Sequence, residues 1–240
     1  MKALQIHEIE TYYGTSHILQ GLSLEIQEGD IVCLLGRNGA GKTTTIRSVM
    51  GMTRPKQGSI RLFGEEIVGW RSNRIFLKGV RIVPQGRHIF PMLTVEENLH
   101  LALMELLSSE LRHETEKAYQ MFPILRERRR QKGRTLSGGE LQMLAIARAI
   151  MGSARLILMD EPSEGLAPII IGQIENTILE LKQKNITILL AEQNLQSALR
   201  VGDYYYIIDG GANVFSGSKD GLRANEEVQI RYLGVGKSAI

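Results

Sequence analysis

The octet Gly36-Arg37-Asn38-Gly39-Ala40-Gly41-Lys42-Thr43 constrains this chain more than any other segment, because the apolar run Ile31-Val32-Cys33-Leu34-Leu35 precedes it and a helix-compatible run follows. A loop that wraps its backbone N–H groups around phosphate oxygens needs positive φ and close backbone approach, and glycine meets both needs. Strand, glycine-rich loop and helix in that order predict an α/β core that holds a triphosphate at a helix N-terminus, where aligned peptide dipoles favour an anion. Residues Gly36, Arg37, Asn38, Gly39, Ala40 and Gly41 are expected to surround the phosphates. Lys42 would reach the terminal phosphates, Thr43 would offer its hydroxyl to Mg²⁺, and Thr44 continues the first turn.

A second chemical segment lies far downstream. Leu156-Ile157-Leu158-Met159-Asp160-Glu161 reads as a buried strand ending in two carboxylates. Successive strand side chains face opposite ways, so the two acids need not share a role. Paired with a phosphate loop, Asp160 is expected to hold Mg²⁺ and Glu161 to polarise the water that attacks the γ-phosphate.

Between and around these segments, apolar β-rich runs recur at Leu4 to Ile6, Ile31 to Leu35, Ile60 to Phe63, Val80 to Val83, Leu156 to Met159, Ile186 to Leu190 and Tyr204 to Ile208. Helical patterns separate several of them, which predicts buried, largely parallel strands, while the early strands separated by Gly14, Gly21 and Gly29 read as antiparallel. From about Phe90 to Ala149 helical runs dominate. The chain is therefore expected to be one domain over 1–240, with a core at about 1–88 and 150–240 and a helical subdomain at about 89–149. Thr94-Val95-Glu96-Glu97 and Ser137-Gly138-Gly139-Glu140 both have capping-box spacing. Two glycines in a first turn cost about 1 kcal/mol each relative to alanine, so an anion close to the Ser137–Glu140 backbone is expected. The Met and Leu residues from Leu101 to Leu107 read as helix core, and the tail from Asn225 as a short helix with a frayed end.

Composition excludes other classes. Lysine and arginine total 29 against 26 acids, a formal charge of +3 that is too mild and dispersed to argue for nucleic acid. The basic run Arg126 to Lys132 reads as a solvated helix end. The lone Cys33 permits no internal disulfide and points to a cytosolic setting. The five histidines lack metal-ligand spacing, so no zinc site is expected. No apolar stretch approaches the length of a membrane span, and Met1 to Gln5 lacks a signal-peptide core, so a membrane role must come through partners.

The phosphate loop, Gln85 after Val83-Pro84, Leu136-Ser137-Gly138-Gly139-Glu140 and Asp160-Glu161-Pro162-Ser163 occur in the order seen in ATP-binding cassette ATPases, and essentially the whole chain resembles that family. The resemblance implies a P-loop NTPase core with an antiparallel β subdomain and an inserted α-helical subdomain. It implies that Tyr13, with Tyr12 as the weaker candidate, stacks on adenine, and that Gln85 approaches Mg²⁺ and the attacking water while hinging the helical subdomain. Ser137, Gly138, Gly139 and Glu140 would bind ATP held by a second subunit. Ser163 to Pro168 would cross the dimer interface, although the family's frequent terminal aspartate is missing there. One phosphate loop and one signature per chain imply a dimer of cassettes.

Most members carry a histidine where Leu190-Ala191-Glu192-Gln193-Asn194 has Gln193. Glutamine can donate a hydrogen bond to phosphate but does not titrate near neutrality. The Glu-Gln-Asn segment, the run Pro84 to Pro91 and the ending Tyr232-Leu233-Gly234 resemble the second ATPase of branched-chain amino-acid importers. Two positions depart from that branch: Gln85 replaces a common glutamate, and Glu164 is a change within Glu161 to Ile171. The implied function is an ATP-hydrolysing importer subunit at the cytoplasmic side of the cell membrane. Its implied partners are permease subunits, a second ATPase of the same or another kind, and indirectly an extracytoplasmic substrate-binding protein. Urea importers and lipopolysaccharide-export ATPases share much of the pattern. A soluble cassette acting on DNA or ribosomes fits less well, because the chain has neither a second cassette nor a coiled-coil insertion.

Overall fold

The computed structural model describes residues 1–103 and 108–234. A six-stranded sheet carries the core, built from β3 (Ile31–Leu35), β6 (Val80–Val83), β7 (Leu156–Asp160), β8 (Thr187–Glu192), β9 (Tyr204–Asp209) and β10 (Ala212–Ser218). Their order is β10-β9-β3-β8-β7-β6; every pairing is parallel except β10 with β9. β3, β7 and β8 are buried along their whole length, as expected of parallel strands covered on both faces. Ile31, Cys33, Leu35, Ile157, Met159, Ile188 and Leu190 face one hydrophobic cluster, while Val32, Leu34, Leu156, Leu158, Leu189 and Ala191 face the other. Helix α1 (Lys42–Val49) follows β3, and α2 (Ser72–Leu77) precedes β6.

A second sheet is antiparallel, in the order β2 (Ser16–Gln27), β1 (Lys2–Tyr13), β4 (Gln57–Leu62), β5 (Glu65–Glu66). Gly21 does not separate two strands here. It lies inside β2 at φ 69°, where the register slips between the Ile9–Leu22 and Thr11–Leu19 pairs. A positive-φ glycine that re-aims a strand serves as well in a bulge as in a turn.

Between β6 and β7 the described chain is helical: α3 (Val95–His100), a 3₁₀ turn (Leu101–Leu103), α4 (Ser108–Met121), α5 (Pro123–Glu127), a 3₁₀ turn (Gly133–Thr135) and α6 (Gly138–Ile150). Their buried side chains, including Val95, Leu99, Phe122, Leu125 and Leu144, join the cluster beneath β3, β7 and β8. Both capping boxes form. Thr94 accepts from the Glu97 N–H and Ser137 from the Glu140 N–H, while each glutamate accepts from the capping residue's own N–H at 2.7 Å. Arg128, from the basic run, pairs with Glu140 at 3.3 Å. Of the Leu101 to Leu107 run expected as helix core, Leu103 is buried while Leu101 is half-buried, and both lie in the 3₁₀ turn and line a concavity. Met104, Leu106 and Leu107 lie outside the described residues, as does the tail beyond Gly234. The remaining helices are α7 (Pro168–Gln183), α8 (Leu195–Val201), α9 (Lys219–Ala224) and, after Asn225, the short α10 (Glu226–Val228) running into a π-helical turn (Gln229–Leu233).

One connection is unusual. Leaving β6, Gly86, Arg87 and His88 have φ of 76°, 68° and 41°, three left-handed residues in a row. The Arg148 guanidinium on α6 donates to the His88 carbonyl at 3.0 Å.

Candidate functional site

The loop between β3 and α1 is glycine-rich for reasons visible in its packing. Gly39 and Gly41 have φ of 84° and 113°. A Cβ at Gly36 would fall 2.5 Å from the Ile208 carbonyl oxygen, and one at Gly41 would fall 2.7 Å from Leu19. The Gly211 N–H donates to the Ala40 carbonyl at 3.0 Å and braces the loop from the β9–β10 turn. Gly41 caps α1 in the left-handed conformation without any side-chain cap, so the first-turn N–H groups have no side chain of that residue competing for them.

β8 lies between the strand that leads into this loop and the strand that carries the carboxylates. Leu35 is in register with Glu192, and Ala191 with Asp160, so β3, β8 and β7 end together at one edge. The Thr43 hydroxyl donates to Asp160 Oδ1 at 3.1 Å. A hydroxyl and a carboxylate are hard oxygen donors that fit Mg²⁺, an ion that keeps several of its own waters. Burial raises the Asp160 pKa, with the Glu161 and Glu164 charges adding to the effect, against the Thr43 hydrogen bond and the Lys42 charge. A bound cation would reverse that balance by favouring the ionised form.

Glu161 is one residue past β7, at φ 48°, with its N–H donating to the Ala191 carbonyl at 2.9 Å. That left-handed turn swings its carboxylate to Lys42, whose Nζ is 2.9 Å from Glu161 Oε1, and both side chains are less than 10% exposed. Lys42 also donates to the carbonyls of Gly36 at 2.7 Å and Arg37 at 3.1 Å. The lysine and the carboxylate thus neutralise each other beside the glycine-rich loop. Gln85 Nε2 donates to Glu161 Oε2 at 3.2 Å and to Glu164 Oε2 at 3.0 Å.

Tyr13 and Tyr12 separate clearly. Tyr12 stacks on His17 with centroids 4.1 Å apart, and the Lys56 ammonium lies 4.1 Å from its ring centroid. Tyr13 is exposed, and its hydroxyl lies 3.4 Å from that of Thr53. Burial alone would raise its pKa, but hydrogen bonding from Thr53, Thr44 and Arg47 lowers it. Its hydroxyl therefore lies against Thr44 and Arg47 of α1, and much of the side chain is exposed.

The signature segment is not within the Lys42–Glu161 cluster; Ser137 and Gly138 open α6 at the surface. Gly139 has an internal reason to be glycine: a Cβ there would come 3.0 Å from Ile170 of α7. An approaching anion is therefore not needed to explain both glycines. At Gly138 a Cβ would make only ordinary contacts with Arg87 and Leu166. Gln193 is exposed at the end of β8, and its N–H donates to Glu192.

Glu192 itself escaped the sequence reading as a site residue. It is 3% exposed and accepts from the N–H groups of Ser163 at 3.2 Å, Gln193 at 3.2 Å and Asn194 at 3.4 Å. One buried carboxylate thus ties the loop after β7 to the loop after β8. Its only sequence signal was an acid ending the mostly apolar strand β8.

A separate concavity of about 1090 Å³ opens beside the β6 edge, lined by Phe76, Leu77, Arg81 and Arg87 on one side and by Leu103 and Arg148 on the other.

A phosphate loop, a Thr–Asp pair, a strand-end Glu, and a capped glycine signature on a helical insertion define an ATP-binding cassette ATPase. Residues 19–164 match the family described as ABC transporter, and the chain belongs to that family. It is 42% identical over 231 residues to the high-affinity branched-chain amino acid transport ATP-binding protein BraG of Pseudomonas aeruginosa, covering 96% of this chain and 99% of the relative. It is 34% identical to the probable branched-chain amino acid transport ATP-binding protein LivF of Archaeoglobus fulgidus, covering 97% and 99%. Among solved structures, a nucleotide-free ATP-binding cassette from an ABC transporter superposes with a TM-score of 0.88 at 25% identity, covering 99% of this chain and all of the other.

Proposed function

We propose that this ATPase energises import of branched-chain or related amino acids, bound to permease subunits at the cytoplasmic face of the membrane. The observation that carries the reading is the convergence of Lys42, Thr43, Asp160, Glu161 and Gln85 at one sheet edge, in a chain similar along its length to BraG. Among the described residues no helix is long and apolar enough to cross a membrane, so the membrane role falls to partners. The concavity between Phe76 and Arg148, with Phe90 and Met92 exposed on the same helical insertion, is where a short permease helix would seat. The substrate-binding protein would act on the permeases from the other side.

The residues divide the reaction as follows. The loop from Gly36 to Gly41 and the N-terminus of α1 hold the phosphates of ATP, with Thr44 in the first turn and Tyr13 against adenine. Lys42 leaves Glu161 and the loop carbonyls for the terminal phosphates. Thr43, Asp160 and Gln85 would hold Mg²⁺, which would offset phosphoryl charge when bound. Glu161, freed of Lys42, orients and deprotonates the attacking water, and Gln193 donates to the γ-phosphate from the end of β8. Ser137, Gly138, Gly139 and Glu140 meet ATP in the facing subunit, so closure of two cassettes completes each site. Residues 89–149 move with that closure through the Gln85 connection.

The test is Mg²⁺-dependent ATP hydrolysis by the purified chain across a range of protein concentrations, with Lys42→Ala as control. A rate rising as the square of concentration at low dose establishes working homodimers. Activity that needs a second cassette establishes a heterodimer, and failure under both conditions, or full activity in Lys42→Ala, refutes the reading.

A further inference from the structure

The two positions that depart from the branch pattern in sequence, Gln85 and Glu164, are in contact. Gln85 Nε2 donates to Glu164 Oε2 at 3.0 Å and to Glu161 Oε2 at 3.2 Å. An ionised carboxylate only accepts hydrogen bonds, and the amide nitrogen brings two donors. With both donors committed, the amide cannot flip without setting its oxygen against two carboxylates. Its Oε1 accepts no hydrogen bond among the described residues.

The two anchors are not equivalent. Glu161 is buried, paired with Lys42, and must release that pairing when phosphate enters. Glu164 is exposed, two residues beyond Pro162, and forms no ion pair among the described residues. Unlike Glu161, it has no pairing with Lys42 to release.

We propose that Glu164 is a positioning residue that fixes the amide orientation of Gln85, so that the Gln85 carbonyl oxygen faces the metal and the attacking water. The inference rests on the reading of Gln85 as a metal contact given above. The departure at one position then explains the other: a glutamine at 85 must be told which way to point, whereas a glutamate presents oxygen from either rotamer.

The experiment measures Mn²⁺ binding by electron paramagnetic resonance to the full chain loaded with a non-hydrolysable ATP analogue, alongside the Mg²⁺ dependence of hydrolysis. Glu164→Leu is expected to weaken Mn²⁺ binding about tenfold, the lower end of what loss of a ligand-orienting partner produces, with nucleotide affinity in EDTA unchanged. Glu164→Gln keeps an acceptor oxygen and should recover most of the loss. Gln85→Ala should show the same deficit, and Glu164→Leu added to it should cause no further loss. Wild-type Mn²⁺ affinity in Glu164→Leu, or a full additional loss in the double variant, overturns the proposal while leaving the site reading intact. Wild-type affinity in Gln85→Ala overturns both.

Discussion

Lys42 and Glu161 hold each other, and replacing the carboxylate tests what that pairing does. Glu161→Gln keeps the shape but removes the charge from a contact of 2.9 Å between side chains 3% and 8% exposed. Lys42 retains the Gly36 and Arg37 carbonyls, so the loss is one charge-assisted hydrogen bond rather than all counter-charge, about 2 kcal/mol. In a chain of this size that lowers the melting temperature of the nucleotide-free protein by about 4–8 °C. ATP must displace Glu161 from Lys42 in the wild type but not in the variant. The variant should therefore recover the same 2 kcal/mol on binding, up to about 30-fold tighter affinity. Both quantities are read in EDTA, which suppresses turnover, by calorimetric melting and by titration with a fluorescent ATP analogue at low protein concentration. A variant that melts with the wild type and binds ATP no more tightly refutes the claim that the pair occupies the phosphate's place.

Other perturbations follow from the same geometry. Tyr13→Ala should weaken ATP binding by about 1–3 kcal/mol, the worth of one base–aromatic stack, and Tyr12→Ala should leave it near wild type; equal losses in the same fluorescence titration contradict the assignment. Gly211→Ala forces a Cβ to 1.9 Å from the Ile18 carbonyl at φ 83°, which should destabilise the protein by about 2–4 kcal/mol in urea unfolding and lower nucleotide affinity through the lost brace on Ala40. Burial raises the Glu192 pKa against the hydrogen bonds from Ser163, Asn194 and Gln193. The native state then binds its proton more readily than the unfolded chain, and this group's contribution to stability falls as pH rises from the unfolded value through the folded one. Glu192→Gln should flatten that acid-range slope in a series of urea melts, and an unchanged slope rules the carboxylate out.

What could be read in the sequence was whatever depends on short-range chemistry. The phosphate loop, the buried strands β3, β7 and β8 and both capping boxes are written in neighbouring residues, and each is found where its pattern lies. The paired antiparallel strand through Gly21 was divided because a glycine of positive φ marks a bulge and a turn alike. β10 went unseen because Ala-Asn-Val-Phe-Ser-Gly-Ser lacks a sustained apolar face. Glu192 and Gly139 were illegible for a different reason. Ser163, which Glu192 accepts from, and Ile170, which crowds Gly139, come from chain segments some 30 residues away, and only the folded chain brings them within reach.

The left-handed run at Gly86, Arg87 and His88 bears on how force passes through the molecule. Two of its residues carry side chains in a region that costs about 1–2 kcal/mol each, so the surrounding contacts, including Arg148 on the His88 carbonyl, must hold the segment coiled. A flexible joint would let Gln85 shift while the helices beyond it stayed still. A coil held in place by its contacts has few other conformations to adopt, so a displacement at Gln85 is passed on to the chain downstream. Torque generated at the γ-phosphate would thus arrive at the helical insertion with little slack, and stiffness here, rather than looseness, would set the stroke.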